Sequence, residues 1–140
     1  MLLSLATLRR GPMETINPHY ENIGGEPGIR KLVEAFYHIM DTDPMATRIR
    51  QLHPEDLSSS KEKLFMFLTG WLGGPPLYIE AYGHPRLRQR HLPFPIGDEE
   101  RDQWMGCMHQ ALEQCGLDEE LKQQLIGSFS KTADFLRNQE

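Results

Sequence analysis

The chain has 140 residues, 39% hydrophobic and 25% charged, with a formal net charge of -5 at pH 7. That balance excludes a disordered chain and a membrane bundle, and the negative charge argues against a nucleic-acid binder, which needs a basic face. The length suits one domain that buries about two-thirds of its unfolded surface without staples.

At the N-terminus, Leu2, Leu3, Leu5, Ala6 and Leu8 form an apolar start too short to span a bilayer. Arg9 and Arg10 follow it rather than precede it, unlike the basic region of a signal peptide. Residues 1–16 read as an N-terminal extension and 17–140 as the single domain. No other stretch is apolar for long enough to cross a membrane. Gly24, Gly25, Pro27 and Gly28 then precede a first helix, whose Ile29, Leu32, Val33, Phe36, Tyr37 and Met40 recur at helical spacing. Pro27 falls in the first turn, where its missing N–H costs nothing, and Asp41, Asp43 and Pro44 end the helix. A short piece, Met45 to Leu52, leads to His53, Pro54 and a polar loop.

A second helix is predicted over Ser60–Leu72, stopped by Gly73, Gly74, Pro75 and Pro76. The stretch that follows is irregular, with at most one or two short helical turns near Pro85 to Arg90. A third helix starts near Asp98 with an acidic first turn, as the helix dipole prefers, and ends at Gly116. A fourth begins at Asp118 and carries Leu121, Leu125, Phe129, Thr132, Ala133 and Leu136. No strand-like alternation persists, so the predicted class is all-α.

The irregular connector that follows Pro76 is longer than a compact domain keeps without a task for it. Pro93 and Pro95 stiffen the backbone just beyond His91. Arg86, Arg88 and Arg90 surround that histidine in an otherwise acidic protein. They read either as a solvated face or as partners for the carboxylates of a bound ligand. An iron porphyrin suits the second reading, because its iron takes an imidazole and its carboxylates take basic or phenolic side chains. No CxxCH is present, so such a group is held non-covalently.

Other chemistry finds less support. The six histidines include no HExxH pair. Cys107 and His109 lie on different helix faces with nothing to orient them. Cys107 and Cys115 are about 12 Å apart along a helix at about 1.5 Å per residue, too far for a disulfide, which favours a reducing cytoplasm. Asp98 to Glu100 and Asp118 to Glu120 read as helix starts rather than acid–base pairs.

The stretch "GGEPGIRKLVEAFYHIMDTDP", then "HPEDL", "FLTGWLGGPPLYIEAYGHPRLRQRHLPFPIG" and "ERDQWMGCMHQAL" together resemble a group II truncated globin across most of residues 20 to 115. The resemblance implies two helices packed over two around haem b, with a long loop on the proximal side. It makes His91 the proximal iron ligand, its other nitrogen protonated toward a carbonyl such as that of Leu87. On the distal side it implies Tyr37, His53 and Trp104 as the polar groups, with Phe36 packed nearby. Many relatives carry tyrosine or phenylalanine at the His53 position. Ser60 and Leu64 match distal helix positions. Tyr78, His84, Arg86 and Arg90 are the expected propionate contacts, and Leu64, Phe67, Leu68, Leu87, Phe94, Ile96 and Met108 the expected apolar walls.

The function that follows is binding of O2 or another diatomic ligand, with slow release from a polar site and a role in redox or stress protection. The enzymatic alternative is a haem peroxidase or a nitric oxide dioxygenase-like activity, with a reductase as partner. A haem-free helical regulatory module is the contrasting class. The sequence leaves monomer and homodimer both open.

Overall fold

The computed structural model describes residues 18–138, so the extension expected at 1–16 lies outside the described residues. A single turn, α1 (His19–Asn22), leads into α2 (Gly25–Thr42). Gly28 is required at their junction, because a Cβ there would collide with the Ile23 carbonyl. Ile29, Leu32, Val33, Phe36, Tyr37 and Met40 of α2 are all buried, and their spacing explains both the helix and the face it hides.

A 3-10 turn (Pro44–Ala46) follows, capped by the Asp43 carboxylate, which accepts from the Met45 N–H at 2.9 Å. It runs into α3 (Thr47–Gln51) and, after a loop, α4 (Ser58–Trp71). The chain turns at Gly73, whose φ of 104° favours a residue without a Cβ.

The connector holds more helix than the sequence reading allowed. α6 (Leu87–His91) falls where one or two turns were expected, but α5 (Leu77–Tyr82) was not anticipated. Pro75 and Pro76 end one helix and also prepare the start of the next, and no breaker intervenes before Gly83. α7 (Asp98–Gln114) and α8 (Glu119–Leu136) complete the chain.

α2 packs on α4 and, most extensively, on α7, while α7 packs on α8. These four long helices form two pairs around one core. Phe36, Leu32, Met40, Leu68, Leu72, Met108, Leu112 and Leu125 are fully buried there. Among the described residues no helix is long and apolar enough to cross a membrane.

Candidate functional site

A cavity of about 400 Å³ opens beside this core, walled by residues from α2 to α8. His91, at the end of α6, lines one side. Its Nδ1 lies 2.7 Å from the Leu87 carbonyl oxygen. A carbonyl only accepts, so Nδ1 is the donor, and in the neutral ring the lone pair belongs to Nε2. The loop beyond His91 is held from afar by Asn138. Its side-chain oxygen accepts from the Ile96 N–H at 2.9 Å, and its amide donates to the carbonyls of Phe94 and His91 at 3.0 and 3.3 Å.

Tyr37, His53 and Trp104 also line the cavity. The Tyr37 hydroxyl donates to the Ser60 carbonyl at 3.4 Å, a long bond that leaves the proton free for a better acceptor. Burial raises the Tyr37 pKa, so the phenol stays a donor. Phe36 sits behind both aromatic donors, edge-on to Tyr37 at 5.0 Å and to Trp104 at 5.1 Å between centroids.

His53 is held by its Nδ1, 2.9 Å from the Ile49 carbonyl. Burial is the main force pushing its pKa below the usual histidine range; the Ile49 bond opposes this, and Arg50 and His91 add to it. The neutral ring therefore presents an unprotonated Nε2. The start of α7 fixes this segment. Gln103 accepts from the Ile49 N–H at 3.0 Å, and Arg48 donates to Glu100 at 3.0 Å. Glu100 also accepts from the Gly97 N–H at 2.9 Å. Those contacts hold its carboxyl below the usual range, Gly97 first and Arg48 second.

Most of the residues singled out in the sequence meet here. Leu64, Phe67, Leu68, Tyr78, Leu87, Arg90, Phe94 and Ile96 line the cavity with the four already described. Phe36, Met108, His84 and Arg86 lie outside its wall. Phe36 is rotated about 100° from Tyr37 on the helix, and Met108 is fully buried in the core. His84 and Arg86 are exposed, with the His84 ring accepting from the Arg86 N–H at 3.3 Å. Arg86 also adopts a left-handed φ of 49°, which starts α6.

Sequence reasoning missed the wall supplied by α8: Phe129, Thr132, Ala133 and Leu136. The small pair Thr132–Ala133 within an apolar stripe was the available signal that something wide lies against this helix. Ile49, Leu52 and Trp71 also line the cavity.

The walls fit a flat, largely apolar group. Aromatic and aliphatic side chains surround the cavity, an imidazole with a free Nε2 belongs to one side, and Arg90, Lys63 and Tyr78 are at hand for acidic substituents. Among the described residues no cluster of three or more His, Cys, Asp or Glu exists to hold a bare metal ion.

Known proteins resemble this chain in sequence and in fold. The profile of the bacterial-like globins matches residues 18–138. The chain is 42% identical over 126 residues to the group 2 truncated hemoglobin YjbI of Bacillus subtilis, covering 90% of this chain and 92% of that protein. The group II 2-on-2 hemoglobin of Agrobacterium tumefaciens superposes with a TM-score of 0.86 at 43% identity, covering 93% of this chain and all of that one (100%). A truncated oxygen-avid haemoglobin from Bacillus subtilis gives a TM-score of 0.78 at 43% identity, over 86% of this chain and 98% of that one. With its fold, its cavity and its sequence in agreement, the chain belongs to the bacterial-like globins of the group 2 truncated haemoglobin family.

Proposed function

We propose that this chain holds haem b non-covalently through His91 and retains O2, or another diatomic ligand, on the side lined by Tyr37, His53 and Trp104. When bound, the haem supplies an iron that takes up such a ligand and exchanges single electrons. The observation that carries the reading is the 2.7 Å contact between His91 Nδ1 and the Leu87 carbonyl, which makes Nε2 the coordinating nitrogen of the neutral ring. Arg90, Tyr78 and Lys63 are the wall residues suited to the propionates.

The distal groups set how long a ligand stays. Tyr37 O–H and Trp104 N–H are donors, and donors aimed at developing negative charge slow its departure. The oxygen-avid relative from Bacillus subtilis, similar over most of the chain, supports slow release here. Such a site suits redox and stress protection better than bulk transport, with a reductase as electron source. Cys107 and Cys115 are free thiols, in keeping with a cytoplasmic setting; burial pushes the Cys107 thiol up to about 11 and keeps it inert.

Haem loading of the purified chain tests the reading. Ferric and ferrous spectra with a strong Soret band, altered by O2 and carbon monoxide, are expected. A chain that takes up no haem, or whose loaded form ignores both gases, overturns it.

A second reading, peroxide reduction, is favoured by one observation: His53 is neutral and its Nε2 is unprotonated. That nitrogen accepts the proton of hydrogen peroxide and returns it to the departing water. A His53→Phe variant that loads haem but reacts with peroxide far more slowly is the expected result. An unchanged peroxide rate removes His53 from that role.

A further inference from the structure

The aromatic rings around the cavity extend to the protein surface on one side. Tyr78 lines the cavity. Tyr82 lies one helical turn further along α5 and is 48% exposed. Residues four apart on a helix share a face, and these two rings sit with centroids 5.0 Å apart. Phe67 meets Tyr78 edge-on at 6.3 Å and stacks with Trp71 at the same distance. Phe129 joins Trp71 to Trp104, at 4.9 and 5.8 Å. Phenol and indole rings give up an electron far more readily than phenylalanine, so the short link from cavity to solvent is the Tyr78–Tyr82 step.

We infer that Tyr82 is a surface oxidation site, at which phenols too large for the cavity deliver electrons that pass through Tyr78 to peroxide-derived oxidising equivalents in the cavity. The inference rests on the peroxide reading above and gives it a substrate class. The charges near the rings fit this use. The Lys63 ammonium lies 5.5 Å from the Tyr82 centroid and the Arg90 guanidinium 5.9 Å from that of Tyr78. A nearby cation opposes positive charge on an oxidised ring, so the electron leaves together with the phenolic proton. At Tyr82, and at the part-buried Tyr78, that proton passes to water, and water returns it to Tyr78 when Tyr82 reduces it.

The overall reaction balances. One hydrogen peroxide takes two electrons and two protons and becomes two waters. Two phenols each lose one hydrogen atom and become phenoxyl radicals. At the surface, the Tyr82 phenoxyl takes the hydrogen atom from the phenol O–H, and the tyrosine is restored. Small water-soluble phenols such as 4-hydroxycinnamate can reach the exposed Tyr82 ring and serve as donors.

The haem-loaded full chain provides the test. It is mixed with hydrogen peroxide, with and without 4-hydroxycinnamate, and examined by freeze-quench electron paramagnetic resonance and by peptide mass spectrometry with a radical-trapping nitroso compound. The chain has only 4 tyrosines, so the labelled position is read directly. The expected result is a tyrosyl signal, an adduct on Tyr82 and its suppression by 4-hydroxycinnamate. Tyr82→Phe should keep the Soret band, lose the adduct and oxidise 4-hydroxycinnamate severalfold more slowly. If haem-loaded protein consumes no peroxide, the peroxide reading and this inference fall together. If peroxide is consumed while Tyr82 stays unlabelled, or if Tyr82→Phe oxidises 4-hydroxycinnamate at the wild-type rate, this inference alone falls.

Discussion

The ring of Tyr37 meets the ring of His53 edge-on, with centroids 5.8 Å apart and planes at 76°. One ring comes from the middle of α2 and the other from the turn after α3. Their meeting depends on α7, which grips α3 through Gln103 and Glu100 while presenting Trp104 to the same cavity. Tyr37, His53 and Trp104 are therefore set in place by three elements, and they should respond to one another.

Removing the imidazole of His91 should empty the cavity. His91→Gly is expected to lose haem or its iron–histidine stretch, and added imidazole should restore both. Resonance Raman spectroscopy of the ferrous protein checks this. An unchanged stretch in the variant would show that another residue holds the iron.

Tyr37 and Trp104 should govern ligand escape. A hydrogen bond to a charged or strongly polarised group contributes about 1.5–3 kcal/mol, or about tenfold to a hundredfold in a rate set by that bond. Tyr37→Phe and Trp104→Phe should each speed oxygen release within that range, as measured by stopped-flow displacement with carbon monoxide. Unchanged release in both single variants and in the double variant would contradict the assignment.

His53 should make stability depend on pH. Burial lowers its pKa in the folded chain, whereas an unfolded histidine titrates near about 6.5. Between those values the unfolded chain binds more protons, so stability rises with pH through the window and is lost as pH falls. His53→Phe should flatten that slope in denaturant unfolding of the haem-loaded protein between pH 5 and 8. Parallel slopes for the two proteins would place this titration elsewhere.

Much of this architecture was legible in the sequence for a physical reason. Each long helix has one buried stripe, and Ile29 to Met40 or Leu121 to Phe129 announce theirs by spacing alone. His91 stood out because prolines follow it and arginines surround it. The α8 wall did not stand out, because Phe129 facing a cavity and Phe129 facing a core obey the same periodicity. The small α5 helix was hidden by the prolines that start it. Phe36 and Met108 show the converse limit: a stripe says that a residue is buried but not which side of the wall it serves.

Glu100 should matter more for the shape of the site than for its charge. It satisfies the Gly97 N–H and anchors Arg48, and its side chain is only 10% exposed. Glu100→Ala leaves that backbone donor unsatisfied, at a cost of about 1–3 kcal/mol. Urea unfolding should show the loss, with Glu100→Gln falling between the variant and wild type. A Glu100→Ala protein as stable as wild type would mean that water replaces the carboxylate without cost.

The hold that Asn138 keeps on the loop after His91 has a kinetic consequence. The residues it bridges are far apart in sequence, with separations of 42 to 47 positions, so this closure is won late in folding and given up early. Breaking these bonds just beyond α8 would free the loop after His91 without unpacking the four long helices. A group held through His91 would then be released by a local opening at the end of α8, in which the Arg88 bond to the Phe135 carbonyl also has to yield, at a lower free energy than global unfolding requires.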